Sequence, residues 1–420
     1  MKVLYVVGSN LRVNSSANMS HNALLKGLVD NNCEVEVIMS NNKRDRIDEA
    51  MPVFEKVTYY SFNDLSLFYN IVNNLKFRML RRSNHNNQKI IDLKRNDVQN
   101  TYNRKKMLLS IIKSIYNELE YALLGPHTKK TKWIKNAKCF NCNTIYDIVI
   151  SNSYPAASHR LVYELLLNKK VLTKRWIQVW EDPWYYDLFN TVKKKSVYRE
   201  EKHLLNVAEE IYYVSPLTLR YQKEYFPEAA EKMKLMHLPQ LDIGRDEEAN
   251  VQGTDYIFGY FGDYHSYVRN LQPFYEACKF TQTKTYIVGN SDNYFESTDT
   301  IKVKKRVGLS ELKNFQEKTD VLVHLCNLRG GQIPGKIYHY SATNKPILFI
   351  LDGTEEEKRI IYNYFNKYNR YIFCNNDFNS IVSKINEIKK IQREELKKES
   401  VNEFLPKVIV SKIMKGLSEF

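Results

Sequence analysis

Short apolar runs alternate with stretches whose apolar residues recur at helical spacing, from one end of the chain to the other. That alternation predicts βα units and mostly parallel sheets, an α/β fold. In the first half the predicted strands are Val3–Val7, Glu34–Met39, Val57–Tyr60, Ile145–Ser151, Trp176–Trp180 and Glu210–Val214. In the second they are Tyr256–Phe261, Lys284–Val288, Asp320–Leu325, Pro346–Leu351 and Tyr371–Cys374. A composition break follows Leu238–Pro239, and Gly244–Gly253 is polar and charged, as a linker between domains would be. The pattern therefore divides the chain into an N-terminal unit, residues 1–240, and a C-terminal unit, residues 254–400. Residues 401–420 carry Ile409, Ile413 and Leu417 at helical spacing behind Pro406, a terminal helix that can serve either unit.

A polar insertion at about 70–140 interrupts the first unit. Within it Leu108, Ile111, Ile115, Leu119 and Ala122 keep helical spacing until Gly125–Pro126 stops the helix. Charge concentrates here. Of a net +15, most comes from Lys76–Lys138, which holds sixteen Lys and Arg against four acidic residues. A surface of this kind attracts anionic lipid headgroups, nucleic acid or phosphorylated substrates. The clusters lack a nucleic-acid motif or a regular series of stacking aromatics, which favours an anionic membrane surface and no nucleic acid. No apolar run is long enough to span a bilayer, and MKVLYVVGSN reads as a first strand, not a secretion signal. Six cysteines in 420 residues form no disulfide framework, and Cys139–Cys142 is a lone CxxC. The expected location is cytoplasmic, peripheral on the inner face of the membrane.

Several function classes are disfavoured. Neither half has GxGxxG or GxxxxGK[ST], Gly8-Ser9-Asn10 is too little for a dinucleotide, and no metal-ligand constellation appears. No cofactor and no metal site are expected. The positive signal lies in Gly330–Leu348, GGQIPGKIYHYSATNKPIL. A strand ends before it, Pro334 and Gly335 break the chain, and Lys336 enters the first turn of a helix closed by Asn344 and Pro346. Unpaired N–H groups at a helix start and a lysine there suit an anion. Other loops follow strand ends in order: Phe258–Asp263 with Gly262, then Arg269, Gly289, and Val307–Glu311 with Gly308. At the carboxyl edge of a parallel sheet such loops converge, and an Arg with a Lys makes a cradle for a diphosphate.

With these segments the chain resembles GT-B glycosyltransferases, two Rossmann-like domains with parallel sheets facing across a cleft. The likeness is to bacterial family-4-type (glycosyl transferases group 1) enzymes of surface polysaccharide synthesis. It rests on the first strand and its glycine loop, Ile211–Pro216 (IYYVSP), Gly262–Asn270 (GDYHSYVRN) and PGKIYHYSATNKPIL, and leaves out the basic insertion. The resemblance implies that Arg269 and Lys336 neutralise the donor diphosphate and that the backbone at Val307 and Gly308 holds the base. It adds Gly262, Gly289, Pro334 and Gly335 to the donor loops. His339 stands where many relatives have a ribose-binding glutamate, and the partner glutamate of their E-x7-E pattern falls at Gly331, beside Gln332. Both glutamates are absent, so the pattern specifies neither the sugar nor the retaining class.

The first unit is then expected to bind the acceptor through Ser9, Asn10, Asn152, Ser153 and Trp184. Asp182 and Glu181 are candidate general bases, with a helix cap before Pro183 as the other reading. His159 is a rival base or a helix histidine bonded to a loop. Trp180, Trp184, Tyr185 and Tyr186 stack on a sugar or pack a core. The implied activity is metal-independent transfer of a hexosyl-type sugar from a nucleoside diphosphate sugar to a glycan or polyprenyl-linked acceptor. A sugar-nucleotide epimerase of the same fold and a non-catalytic GT-B-like binding protein are the alternatives.

Overall fold

The computed structural model describes residues 1–42, 44–64, 120–188, 194–241 and 256–416. The linker Gly244–Gly253, Leu417 and the insertion positions Leu108 to Leu119 lie outside them. The first unit supplies β1 (Lys2–Val7), β2 (Glu34–Asn41), β3 (Val57–Asn63), β4 (Ile145–Tyr146), β5 (Ile148–Ser153), β6 (Leu172–Thr173), β7 (Trp176–Trp180), β8 (Glu210–Tyr213) and β9 (Met233–Leu235). Seven of these form one parallel sheet in the order β3-β2-β1-β5-β7-β8-β9, and β4 pairs with β6 alone. The second unit supplies β10 (Phe258–Phe261), β11 (Thr285–Val288), β12 (Ile301–Lys304), β13 (Val321–Leu325), β14 (Ile347–Leu351) and β15 (Tyr371–Asn375). They form a parallel sheet in the order β12-β11-β10-β13-β14-β15.

The central strands are uniformly apolar because helices cover both faces of a parallel sheet. β7, β13 and β14 are buried along their whole length. The apolar pattern did not predict the short β6 or the strands β9 and β12, and the last two are the outermost of their sheets. There only one side is paired, and β12 can alternate Ile301 and Val303 with Lys302 and Lys304. The predicted strand Ile145–Ser151 is two strands broken at Asp147, whose carboxylate accepts the Lys2 N–H at 2.9 Å. The helix predicted to run from Lys336 to Asn344 ends at Ser341, where the Val401 N–H takes the Ser341 carbonyl at 2.9 Å.

The two sheets share a core. One apolar cluster runs from Val3 and Tyr5 through Leu238 to Phe349, Phe365 and Ile413. The terminal helix Pro406–Met414 lies against the first helix, Ser16–Asp30. Asn31 Nδ2 donates to the Lys407 carbonyl at 2.9 Å, and Arg175 Nη2 to the Ile413 carbonyl at 2.9 Å. His237 sits between the Tyr364 and Tyr368 hydroxyls, at 2.5 and 3.1 Å, with Phe404 edge-on at 4.8 Å. Among the described residues no helix is long and apolar enough to cross a membrane.

Gly27 sets how closely the terminal helix approaches, since a Cβ there would lie 2.4 Å from the Pro406 carbonyl oxygen. Gly27→Val should therefore cost about 1–3 kcal/mol. Denaturant unfolding should show the loss, and limited proteolysis should show faster cleavage between Leu396 and Pro406; unchanged behaviour in both would refute this packing.

Candidate active site between the two sheets

In the second sheet the chain order reverses between β10 and β13, so the loops leaving these neighbours diverge and open a crevice at their carboxyl ends. Gly262 and Asp263 follow β10. Gly289, at the end of β11, presses on them so tightly that a Cβ there would lie 1.9 Å from the Gly262 carbonyl oxygen. Arg269 is held by two bonds, Nε to Asn327 Oδ1 at 2.8 Å and Nη1 to the Asp263 carbonyl at 2.6 Å. Lys336, on the other side of the crevice, is half-buried and has no hydrogen-bond or ion-pair partner among the described residues. Burial pulls its ammonium down to about 8, helped by the charge of Arg306 and opposed by Asp263. The helix that Lys336 opens is only six residues long, so its dipole is small and the side chains must supply the cationic field. One turn on, His339 is half-buried and neutral, driven down to about 3 by burial and by Lys336. Gly308 caps the helix Leu309–Glu317 and, with Asp48 and Ala50 of the first unit, lines a cavity of about 780 Å³. Val307 packs against the core beside it.

The facing wall carries carboxylates. Glu181 and Asp182 follow β7, and Glu181 Oε1 lies 3.5 Å from Nδ1 of the fully buried His21. Burial, then the charge of Asp182, pushes the Glu181 carboxyl well above the usual range. The Asp182 side chain meets water along the cleft, yet protein crowds it. That crowding pushes its carboxyl up to about 6, with the Gln332 hydrogen bond opposing and Asp187 adding to the rise. Asn152 lies within β5 and not beyond it; its Nδ2 donates to the Tyr5 hydroxyl at 2.8 Å while its Oδ1 has no partner among the described residues. Ser153 is also inside the strand, with Oγ likewise unpartnered. Ser9 Oγ donates to Asn18 Oδ1 at 2.7 Å.

Three predicted residues are placed elsewhere. His159 is fully buried, bonded through Nδ1 to Ser151 Oγ at 2.8 Å and tilted against Trp180 at 4.2 Å, so it has no surface with which to meet a substrate. Trp184 stacks on His127 at 5.0 Å and belongs to the packing around Trp180. Asn10 is buried, its amide engaged with Asp45 and the Arg12 N–H, and shapes the loop after β1.

Gln332 joins the two walls. Its Nε2 donates to Asp182 Oδ1 at 2.5 Å and Asp187 Oδ1 at 3.1 Å, while its Oε1 accepts the Leu188 N–H at 3.0 Å. The preceding Gly331 carbonyl accepts from Ser215 Oγ and Thr218 Oγ1, and Tyr338 donates to the Val214 carbonyl at 3.1 Å. Thus Pro334, Gly335 and Lys336 lie on a loop fastened to the IYYVSP segment of the other unit. Sequence reasoning passed over Tyr5, His21, Asp187, Arg306 and Asn327. A signal existed for His21: with Asn18 and Asn22 it sits at helical spacing on a polar stripe of Ser16–Asp30, and all three are buried.

No protein-family model matches the chain, and no curated protein matches it in sequence. Solved structures do match, end to end. Sucrose-phosphate synthase of Thermosynechococcus elongatus aligns with a TM-score of 0.59 at 10% identity over 100% of this chain and 95% of that one. The fold is GT-B. A glycosyltransferase of Rickettsia africae aligns at 0.54 and 12% identity, over 99% of this chain and 98% of that one. HepE of Anabaena, solved with UDP and glucose, aligns at 0.53 and 11%, over 99% and 95%. In this GT-B fold Gln332, from the unit that carries Arg269 and Lys336, bonds the carboxylates of the other unit.

Gln332→Glu would gather a third carboxylate beside Asp182 and Asp187 in a buried position. At pH 8, well above the Asp182 value of about 6, unfolding should be easier than in the wild type by about 3 kcal/mol. Near pH 5 protonation should remove most of the difference. A pH-independent effect would show that Gln332 does not face these carboxylates.

Proposed function

We propose that the protein is a glycosyltransferase, moving a sugar from a nucleoside diphosphate sugar to a glycan or lipid-linked glycan acceptor in bacterial surface polysaccharide synthesis. The observation that carries this reading is the unpartnered Lys336 across the crevice from Arg269 at the switch point of the second sheet, on the loop whose Gln332 bonds Asp182. Lys336 and Arg269 meet the donor diphosphate and stabilise the charge that the leaving nucleotide gains, with no call on a metal ion. Asp182, ionised at neutral pH, takes the proton of the attacking acceptor hydroxyl, and Gln332 holds it in place. The base lies toward Val307 and Gly308. The HepE structure with UDP and glucose supports a uridine nucleotide as the first donor to try. The basic insertion rests the enzyme on anionic lipid.

A second reading, a sugar-nucleotide epimerase of the same fold, draws on the carboxylates Asp182 and Asp187 that Gln332 gathers. An epimerase needs acids and bases on both sides of a sugar, and it would convert a sugar nucleotide with no acceptor present. A free epimer formed without acceptor would favour it.

Lys336→Ala should weaken nucleotide binding about 10- to 100-fold, read by calorimetry with UDP and UDP-glucose and then with the guanosine, adenosine, cytidine and thymidine counterparts. Wild-type affinity in that variant would remove the donor-site assignment. Asp182 must be ionised to accept a proton, so kcat/KM should fall about tenfold per unit as pH drops below about 6. An unchanged acidic limb in Asp182→Asn would place the base elsewhere.

A further inference from the structure

Asp263 is a meeting point for charge. Its carbonyl accepts Arg269 Nη1 at 2.6 Å, and its Oδ1 accepts the Asn290 N–H at 2.8 Å. Its other carboxylate oxygen lies 3.4 Å from Nη2 of Arg306, in the loop after β12, while Asn290 Oδ1 accepts the Arg306 N–H at 3.3 Å. Asp263 and Arg306 both act electrostatically on Lys336. So the loops after β10, β11 and β12 are drawn together on the donor side of the crevice, and Arg306 stands on them. Its side chain is 64% exposed, and an exposed pair of this kind contributes little to stability. Arg306 can leave Asp263 at small cost.

Resting on the donor site proposed above, we infer that Arg306 is a third phosphate ligand, which passes from Asp263 to the nucleotide as the leaving group forms. In the transfer, the bond between the anomeric carbon and the diphosphate oxygen breaks and its electron pair stays on that oxygen. The acceptor oxygen bonds to the anomeric carbon, and its proton passes to Asp182. The nucleoside diphosphate thereby gains one negative charge, because the last ionisation of a terminal phosphate lies at pH ~6. Arg269 is already tied to Asn327 and Asp263, and Lys336 faces the diphosphate from the start. Arg306 is the cation with freedom to follow the new charge, and its guanidinium can bond two phosphate oxygens at once.

The inference predicts a split that a merely structural arginine would not produce. In Arg306→Gln at pH 8, UDP should bind about tenfold more weakly than to the wild type, while UDP-glucose should lose less than about threefold. Lys336→Ala should weaken both. The measurement is calorimetric titration of the full chain; if another nucleoside diphosphate and its sugar ester bind the wild type better, that pair replaces the uridine pair. Equal losses, or none, in Arg306→Gln would overturn the inference and leave the donor site standing. A wild-type protein that binds no nucleoside diphosphate would overturn both. Circular dichroism of the exposed-site variant serves as the folding control.

Discussion

The backbone at Gly330 and Gly331 takes φ values of +93° and +74°, a left-handed turn that side chains other than glycine rarely adopt. The turn aims the Gly331 carbonyl at Ser215 and Thr218 and leaves Gln332 pointing at Asp182 and Asp187. There is no room for an alternative, since a Cβ on Gly331 would lie 3.0 Å from Leu217 Cβ. Because Lys336 follows within one short loop, its position relative to the carboxylates of the other unit is fixed by this contact. Remove it, and the cationic and anionic walls are no longer held in register.

That arrangement has a chemical logic. Cations concentrated on one wall and carboxylates on the other would attract each other if brought into direct contact, and both would be neutralised. Here Gln332 presents an uncharged amide to the acids, with its oxygen engaged by the Leu188 N–H. The acids keep proton affinities raised by burial, and Lys336 keeps a free ammonium. An amide is suited to that place because it bonds to carboxylates without cancelling their charge.

Much of the fold was legible because parallel strands buried on both faces read as unbroken apolar runs. All six long runs of the first unit and all five of the second correspond to strands. One edge of each sheet was not legible: Met233–Leu235 and Ile301–Lys304 are short, and lysines interrupt them. At the site, loops anchored by glycine and proline could be placed in order along the sheet. What the sequence hid were pairings between distant segments, such as Gln332 with Asp182 and Asp263 with Arg306. Polar residues inside a helix, such as His21, also read as solvated until packing shows what covers them. His159 shows the reverse error, since a histidine beside a strand end looks reactive until its burial against Trp180 is seen.

His237, near the end of the first unit, meets Phe404, which follows the second, with Tyr364 and Tyr368 bonded to the same imidazole. An imidazole of one unit held by two hydroxyls and an aromatic ring from the other end of the chain is a buried rivet between them. That attachment is separate from the contact of Gln332 with its two aspartates, so the units are fastened at two distant places and the donor and acceptor sides are fixed from both.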